Sequence, residues 1–191
     1  MSKLDQFERY YARDRKEWRK WLEKNHDTSQ GVWLIYHKKC SDEPCVSYDE
    51  AVEEALSFGW IDSKVNKLDD ERYMQVFTPR KPKSIWSKLN KQRVQKVIEK
   101  GLMTHAGLEK IDTAKKDGSW YFMEDIDNLI VPDDLKEYLN KNSSAKTNFE
   151  TYSDSVKKQI LFWIKSAKRP ETRMKRIEKA VILAAENKKP F

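Results

Sequence analysis

The residues best equipped for chemistry crowd into one stretch. Arg80, Lys83, Ser84, Trp86, Ser87 and Asn90 belong to a basic, proline-bounded loop, PRKPKS, that runs into a predicted helix. Free amides and the dipole at a helix N-terminus favour negative charge, and an arginine fork grips phosphate or carboxylate with two parallel hydrogen bonds. Trp60 and Asp62 arrive from a neighbouring predicted strand and would line one wall, giving a few polar groups amid aromatics, the usual composition of a ligand pocket. The same residues have a second reading. Ser84 or Ser87 caps the helix, Trp60 and Trp86 fill the core, and Arg80 pairs with Asp62. The residue types leave both open.

A second basic cluster lies near the C-terminus, where Lys168, Arg169, Arg173 and Arg176 surround a tight bend. Two helices meeting at such a bend suggest a helix-turn-helix nucleic-acid binder, but the turn has no glycine and the second helix lacks an evident base-reading set. Arg169 and Arg173 pairing with acids is the alternative. Residues 153–191 carry 11 basic and 4 acidic residues, which is the whole net charge of +7. The preceding part is neutral overall, yet residues 76–100 hold eight basic residues against Glu99 alone. Charge of this kind draws phosphates, nucleic acid, anionic lipids or acidic proteins, and equally serves to solvate helix faces.

Other chemistry finds less support. Cys40 and Cys45 make one loose pair with His37 and His26 nearby, where zinc sites use two tight pairs, so two reduced cysteines flanking a turn are expected and no metal. Asp62 and Ser63 adjoin without a paired histidine; His26, His37 and His105 fall at a helix end, a strand and a helix start. No glycine-rich phosphate loop or paired-carboxylate motif is present. No catalytic residue and no cofactor is therefore assigned, and whether the protein is an enzyme stays open.

These residues need a scaffold. At 191 residues, 38% hydrophobic and 12% aromatic, the chain can bury a core despite a mean hydropathy of −0.90. The start has no apolar stretch suited to a signal peptide, and nowhere is there a run near the ~18 apolar residues of a membrane helix, so a cytoplasmic protein is expected, consistent with two unpaired cysteines.

Residues 6–11 read as a short strand. Asp14 and Glu17 have capping-box spacing before a helix that puts Trp18, Trp21 and Leu22 on one face. Residues 31–38 (GVWLIYHK) are the strongest strand. Ser47 and Glu50 box the helix 48–58, with Ala51, Val52, Ala55 and Leu56 inward and Gly59 as its left-handed stop. Residues 60–67 and 72–78 form an antiparallel hairpin in which Tyr73, Gln75 and Phe77 share one face and Met74, Val76 and Thr78 the other.

A helix starting at 85–88 carries Trp86, Leu89, Val94, Val97 and Ile98 to Gly101. Another from Thr104 carries Leu108, Ile111 and Ala114 to Gly118. Residues 119–123 read as a short strand or extended crossing, 125–132 as a linker, and 142–146 as a break after a helix begun at Pro132 that turns Leu135, Tyr138 and Leu139 inward. Helices 152–168 and 171–187 then form an antiparallel hairpin. Their inward stripes are Val156, Ile160, Trp163, Ile164 and Ala167, and Met174, Ile177, Val181 and Ala184.

The runs GVWLIYHKK, EALSFGWIDS, FTPRKPKSIWSKLN, GLMTHAGLEKI and AKKDGSW, followed by AKRPETRMKRI, resemble in order and spacing the YdeI/OmpD-associated family, also called bacteriocin-protection proteins, over about Phe7 to Lys189. The resemblance implies a link to tolerance of bacteriocins or antimicrobial peptides, without an established reaction or a transferable catalytic set. The fold expected is α+β: a small antiparallel sheet covered by helices in residues 1–124, and a basic helical module in 125–191. The function expected is binding or stress protection, with an anion or small-ligand pocket at 79–90. An enzyme acting on a small anionic substrate in the same cleft, and nucleic-acid binding through the C-terminal helices, are the alternatives.

Overall fold

The computed structural model describes residues 3–38 and 43–189; Cys40 lies outside them. The chain forms two compact units, Met1–Trp120 and Tyr121–Phe191.

The first unit is built on four strands: β1 (Glu8–Tyr11), β2 (Val32–His37), β3 (Trp60–Lys67) and β4 (Arg72–Pro79), in sheet order β1-β2-β4-β3. β2, β4 and β3 pair antiparallel as expected. β1 instead joins β2 in parallel, because helix α1 (Arg15–Asn25) carries the chain back between them as a crossover. A register shift between Asp62 and Val65 bends β3.

Alternation along the strands makes two faces. Val32, Leu34, Tyr36 and Phe77 pack on Trp18, Trp21 and Leu22 of α1 and on Ala51, Val52, Ala55 and Leu56 of α2 (Tyr48–Ser57). Trp33, Met74 and Val76 point the other way, against Leu4 and Phe7, and the Trp33 indole donates to the Leu4 carbonyl at 2.8 Å.

Local signals explain the helix ends. Asp14 accepts from the Glu17 amide, but Glu17 turns to the Arg13 amide, so only half the expected box forms. Ser47 and Glu50 form it completely. Gly59 takes φ 73°, and its carbonyl accepts from the Arg80 amide at 2.9 Å. α3 (Lys88–Glu99) and α4 (His105–Lys116) are capped by Ser87 and Thr104.

Their buried faces are narrower than the periodicity suggests. Trp86 is buried ahead of α3, while Leu89 and Ile98 are exposed. The reason is ionic: Arg93 and Lys96 anchor α3 to Asp49 and Glu53 of α2, which turns the Arg93 side inward. In α4, Gly107, Ile111 and Ala114 are buried and Leu108 is exposed. Gly107 lies so close to α2 that a Cβ there would sit 2.4 Å from the Ser57 carbonyl oxygen and 2.9 Å from that of Leu56. Backbone cannot yield as a flexible side chain can. Gly107→Ala should therefore destabilise this unit by about 3 kcal/mol, despite alanine's better helix propensity. A urea midpoint equal to or above wild type would refute this close packing.

The second unit is helical: α5 (Glu124–Asp127), α6 (Asp133–Asn140), α7 (Ser143–Thr151), α8 (Asp154–Lys165) and α9 (Pro170–Ala185). Three segments differ from expectation. The residues read as a linker include the turn α5, which buries Ile126. The residues read as a break begin α7, with Asn142 capping the Ala145 amide and Ala145 and Phe149 buried. Residues 119–123 are turn rather than strand. Pro170 stands in the first turn of α9, where a missing amide costs nothing. Ile160, Ile164, Ile177, Val181 and Ala184 are buried as expected, and Met174 is exposed. Among the described residues no helix is long and apolar enough to cross a membrane.

Candidate anion site

The loop that leaves β4 is strapped to the end of α4. Lys83 adopts φ 62°, a left-handed conformation that strains a side-chain-bearing residue. Its amide donates to Asp117 Oδ2 at 2.7 Å, and Asp117 Oδ1 accepts from the Ser119 amide at 2.9 Å. The Trp86 amide donates to the Ser119 carbonyl at 3.4 Å. One carboxylate thus pins both the strained loop and the turn after α4.

A recess of about 80 Å³ opens between loop and helix, lined by residues 80–84 and Trp86 on one side and Lys110, Thr113, Ala114, Asp117 and Ser119 on the other. A liquid water occupies about 30 Å³, so the space suits a single small ion.

Arg80 is the unusual member. It is only 4% exposed. Its guanidinium carbon lies 3.6 Å from the centroid of the Trp86 ring, and Trp86 packs on Trp120 in turn. Nη1 reaches Ser84 Oγ and the Ile85 carbonyl only at 3.5 Å, and Nε has no partner. No carboxylate of the described residues lies within ion-pair reach of it. Burial pushes its pKa down to about 10, against the pull of Asp62, so it remains a cation at neutral pH. Ser119 Oγ is buried beside the Asp117 carboxylate and, with the Ser119 and Lys83 amides, holds it below the usual carboxylate range. Buried polar groups are ordinarily satisfied, so the unmet Arg80 Nε beside this cavity stands out.

Arg80, Lys83, Ser84 and Trp86 therefore line the recess. The other four residues singled out in the sequence do not. Trp60 is core, its indole donating to the His26 carbonyl at 3.0 Å. Asp62 accepts from Tyr48 Oη and Gln75 Nε2, at 3.0 and 2.7 Å, and forms no ion pair with Arg80. Ser87 caps α3 through the Asn90 amide, and Asn90 Oδ1 accepts from Arg93. The cavity owes its polarity to side chains and not to the start of α3. Sequence reasoning missed Lys110, Asp117 and Ser119. The Asp-Gly-Ser turn was visible as the stop of α4, but nothing local tied it to a loop some thirty residues earlier.

The C-terminal arginines are committed elsewhere. Arg173 grips Asp134 through Nε and Nη2, at 2.7 and 2.9 Å, and Nη1 reaches the Ile164 carbonyl. Arg176 donates to the Trp163 carbonyl and to Ser166 Oγ. Both thus satisfy carbonyls at the end of α8, where cations are favoured. Lys168 and Arg169 are exposed. A wider groove, about 840 Å³, runs along α8 past Ile126, Phe162 and Trp163. Its polar groups are partly occupied: Lys158 faces Asp127 at 3.8 Å, and Ser166 serves Arg176.

The three histidines remain apart. His26 Nδ1 lies 2.9 Å from the Leu22 carbonyl, His37 stands edge-on to Tyr11, and His105 faces Glu109 at 3.5 Å.

The chain belongs to the family defined by a domain of unknown function, DUF8412, whose model matches residues 10–110, just over half of it. Residues 128–187 match the model described as Bacteriocin-protection, YdeI or OmpD-Associated, so the second unit carries a YdeI/OmpD-associated domain. That match is narrower than the resemblance over Phe7–Lys189, since most of the N-terminal motifs fall within the first model. No curated protein and no solved structure matches the chain.

Proposed function

We propose that this is a cytoplasmic binding protein of stress protection whose N-terminal unit holds a small oxyanion in the recess between the β4–α3 loop and α4. The observation that carries the reading is Arg80: a buried, stacked guanidinium with an unmet Nε and no carboxylate partner, beside a cavity of single-ion size. Burying an unpaired charge is costly, and a structural role would be served as well by an apolar side chain. The description of the second unit's family supports the protection half of the reading. Binding is favoured over turnover because the recess is lined by no histidine and no paired carboxylates. Nucleic-acid binding through Lys168, Arg169, Arg173 and Arg176 gains no support, since the last two already serve α6 and α8.

The test is thermal unfolding in chloride buffer with added inorganic phosphate. At a hundredfold excess over Kd the ligand adds about 2.7 kcal/mol, which raises the midpoint by several degrees. No shift with phosphate, sulfate or simple carboxylates would overturn the proposal, as would a full shift in a protein lacking the Arg80 guanidinium.

A further inference from the structure

We infer that the recess selects an oxyanion that still carries a proton, with hydrogen phosphate as the fitting ligand, and that Asp117 is the discriminating residue. This rests on the anion-binding reading above and adds a chemical identity to it.

The argument starts from a mismatch. A cavity built only to attract negative charge would not carry a carboxylate, yet Asp117 lines this one with Arg80, Lys81, Lys83 and Lys110. Asp117 is not spare. Its two oxygens each accept one backbone amide, from Lys83 and from Ser119, which fixes the group in place. Each carboxylate oxygen can accept more than one hydrogen bond, so acceptor capacity remains. Around it Arg80 Nε is an unmet donor, while the Ser119 hydroxyl already helps hold the Asp117 carboxylate.

A ligand that satisfies this set must accept from Arg80 and the lysines while donating to Asp117. Sulfate has no proton to give, so it would face Asp117 as one anion against another. Hydrogen phosphate has both halves. Asp117 is exposed at the edge of the recess, so water can partly replace a missing donor, and the discrimination is more modest than at a buried site. The same logic separates free phosphate from its esters. A phosphomonoester loses its last proton with a pKa of about 6, so above that it resembles sulfate in having nothing to donate. The size of the recess, about 80 Å³, also favours the free ion.

Calorimetric titration of the full chain, with inorganic phosphate, sulfate and methyl phosphate as probes, tests this. At about pH 8 the ester is past its second pKa of about 6, and phosphate should bind at least roughly tenfold tighter than either competitor. At about pH 5.5, where much of the ester regains its proton, methyl phosphate should recover roughly severalfold in affinity while sulfate does not. Asp117→Asn should bring sulfate and phosphate to within a few-fold. That variant weakens the support of the Lys83 amide; if it does not fold, the wild-type series alone decides between the outcomes. Sulfate binding as tightly as phosphate at about pH 8, or an ester affinity unchanged between the two conditions, would overturn the selectivity and leave the anion site standing. Binding of none of the three would remove both.

Discussion

Replacing Glu54 with alanine should cost the N-terminal unit about 3–5 kcal/mol, the range for leaving a buried charge without its partner. Glu53 and Glu54 are adjacent on α2 and only 2% and 1% exposed, which for two carboxylates demands compensation. Arg15 supplies it to both, at 2.6 Å from Nε to Glu54 and 2.8 Å from Nη1 to Glu53. Arg19 adds a 2.7 Å bond to Glu54 and reaches the Leu102 carbonyl, while Lys96 of α3 closes on Glu53. Removing Glu54 would leave two guanidinium groups facing a void, one of them with Nη2 already unmet. Urea denaturation measures the loss. A drop under about 1 kcal/mol would mean that the network is as weak as an exposed pair. Glu54→Ala combined with Arg19→Ala should cost less than the sum of the two, because the network is shared.

The same cluster sets an acid limit. Burial pushes the Glu53 carboxyl up, but hydrogen bonds from Lys96 and Arg15 outweigh it and the net value is lowered. A lowered folded-state value means that its stabilisation is complete above the unfolded carboxylate range, about pH 4.3, and is lost as pH falls through the lowered value. Glu53→Gln should therefore flatten the acid limb of the stability profile while lowering the neutral plateau.

Much of the scaffold could be read from residue types because its causes are local. Ser47 with Glu50, Thr104 and Gly59 act through neighbours within a few residues, and alternation in 72–78 fixed which side of the sheet each residue faces. What escaped depends on partners far along the chain. The parallel placement of β1 follows from a crossover rather than from anything in ERYY. α7 escaped for a different reason. Its apolar face is only Ala145 and Phe149, and Asn142-Ser143-Ser144 reads as loop until Asn142 is seen as a cap. At the site, the serine and asparagine at the start of α3 carried the expectation because helix starts bind anions in general. In the structure Ser87 caps α3 through the Asn90 amide and Asn90 accepts from Arg93, and the polar groups at the recess come from loop 80–84 and the α4 end. A buried arginine announces nothing in a sequence already rich in basic residues; its lack of a carboxylate partner becomes visible only in three dimensions.

Arg80→Met should make the ligand-free protein more stable and the anion site nearly silent. Burial that lowers the guanidinium pKa to about 10 reflects an unfavourable burial of charge, on the order of a few kcal/mol. Against it stand the stack on Trp86, worth about 1–2 kcal/mol when desolvated, and two hydrogen bonds too long to contribute much. A thioether of similar reach keeps the contact with Trp86 and removes the charge, so the midpoint should rise by about 2–5 °C. The cost appears in binding. Each charge-assisted hydrogen bond contributes about 1.5–3 kcal/mol, so phosphate affinity should fall at least roughly tenfold. Arg80→Lys separates charge from shape: it keeps the cation but loses the planar fork and the stack, and should bind at an intermediate level. Differential scanning calorimetry and titration on the same three proteins decide the matter. A methionine variant that is less stable than wild type and still binds phosphate would make Arg80 a packing residue. A gain in stability coupled to a loss of binding is the signature of a charge kept for a ligand, since folding alone would favour replacing it.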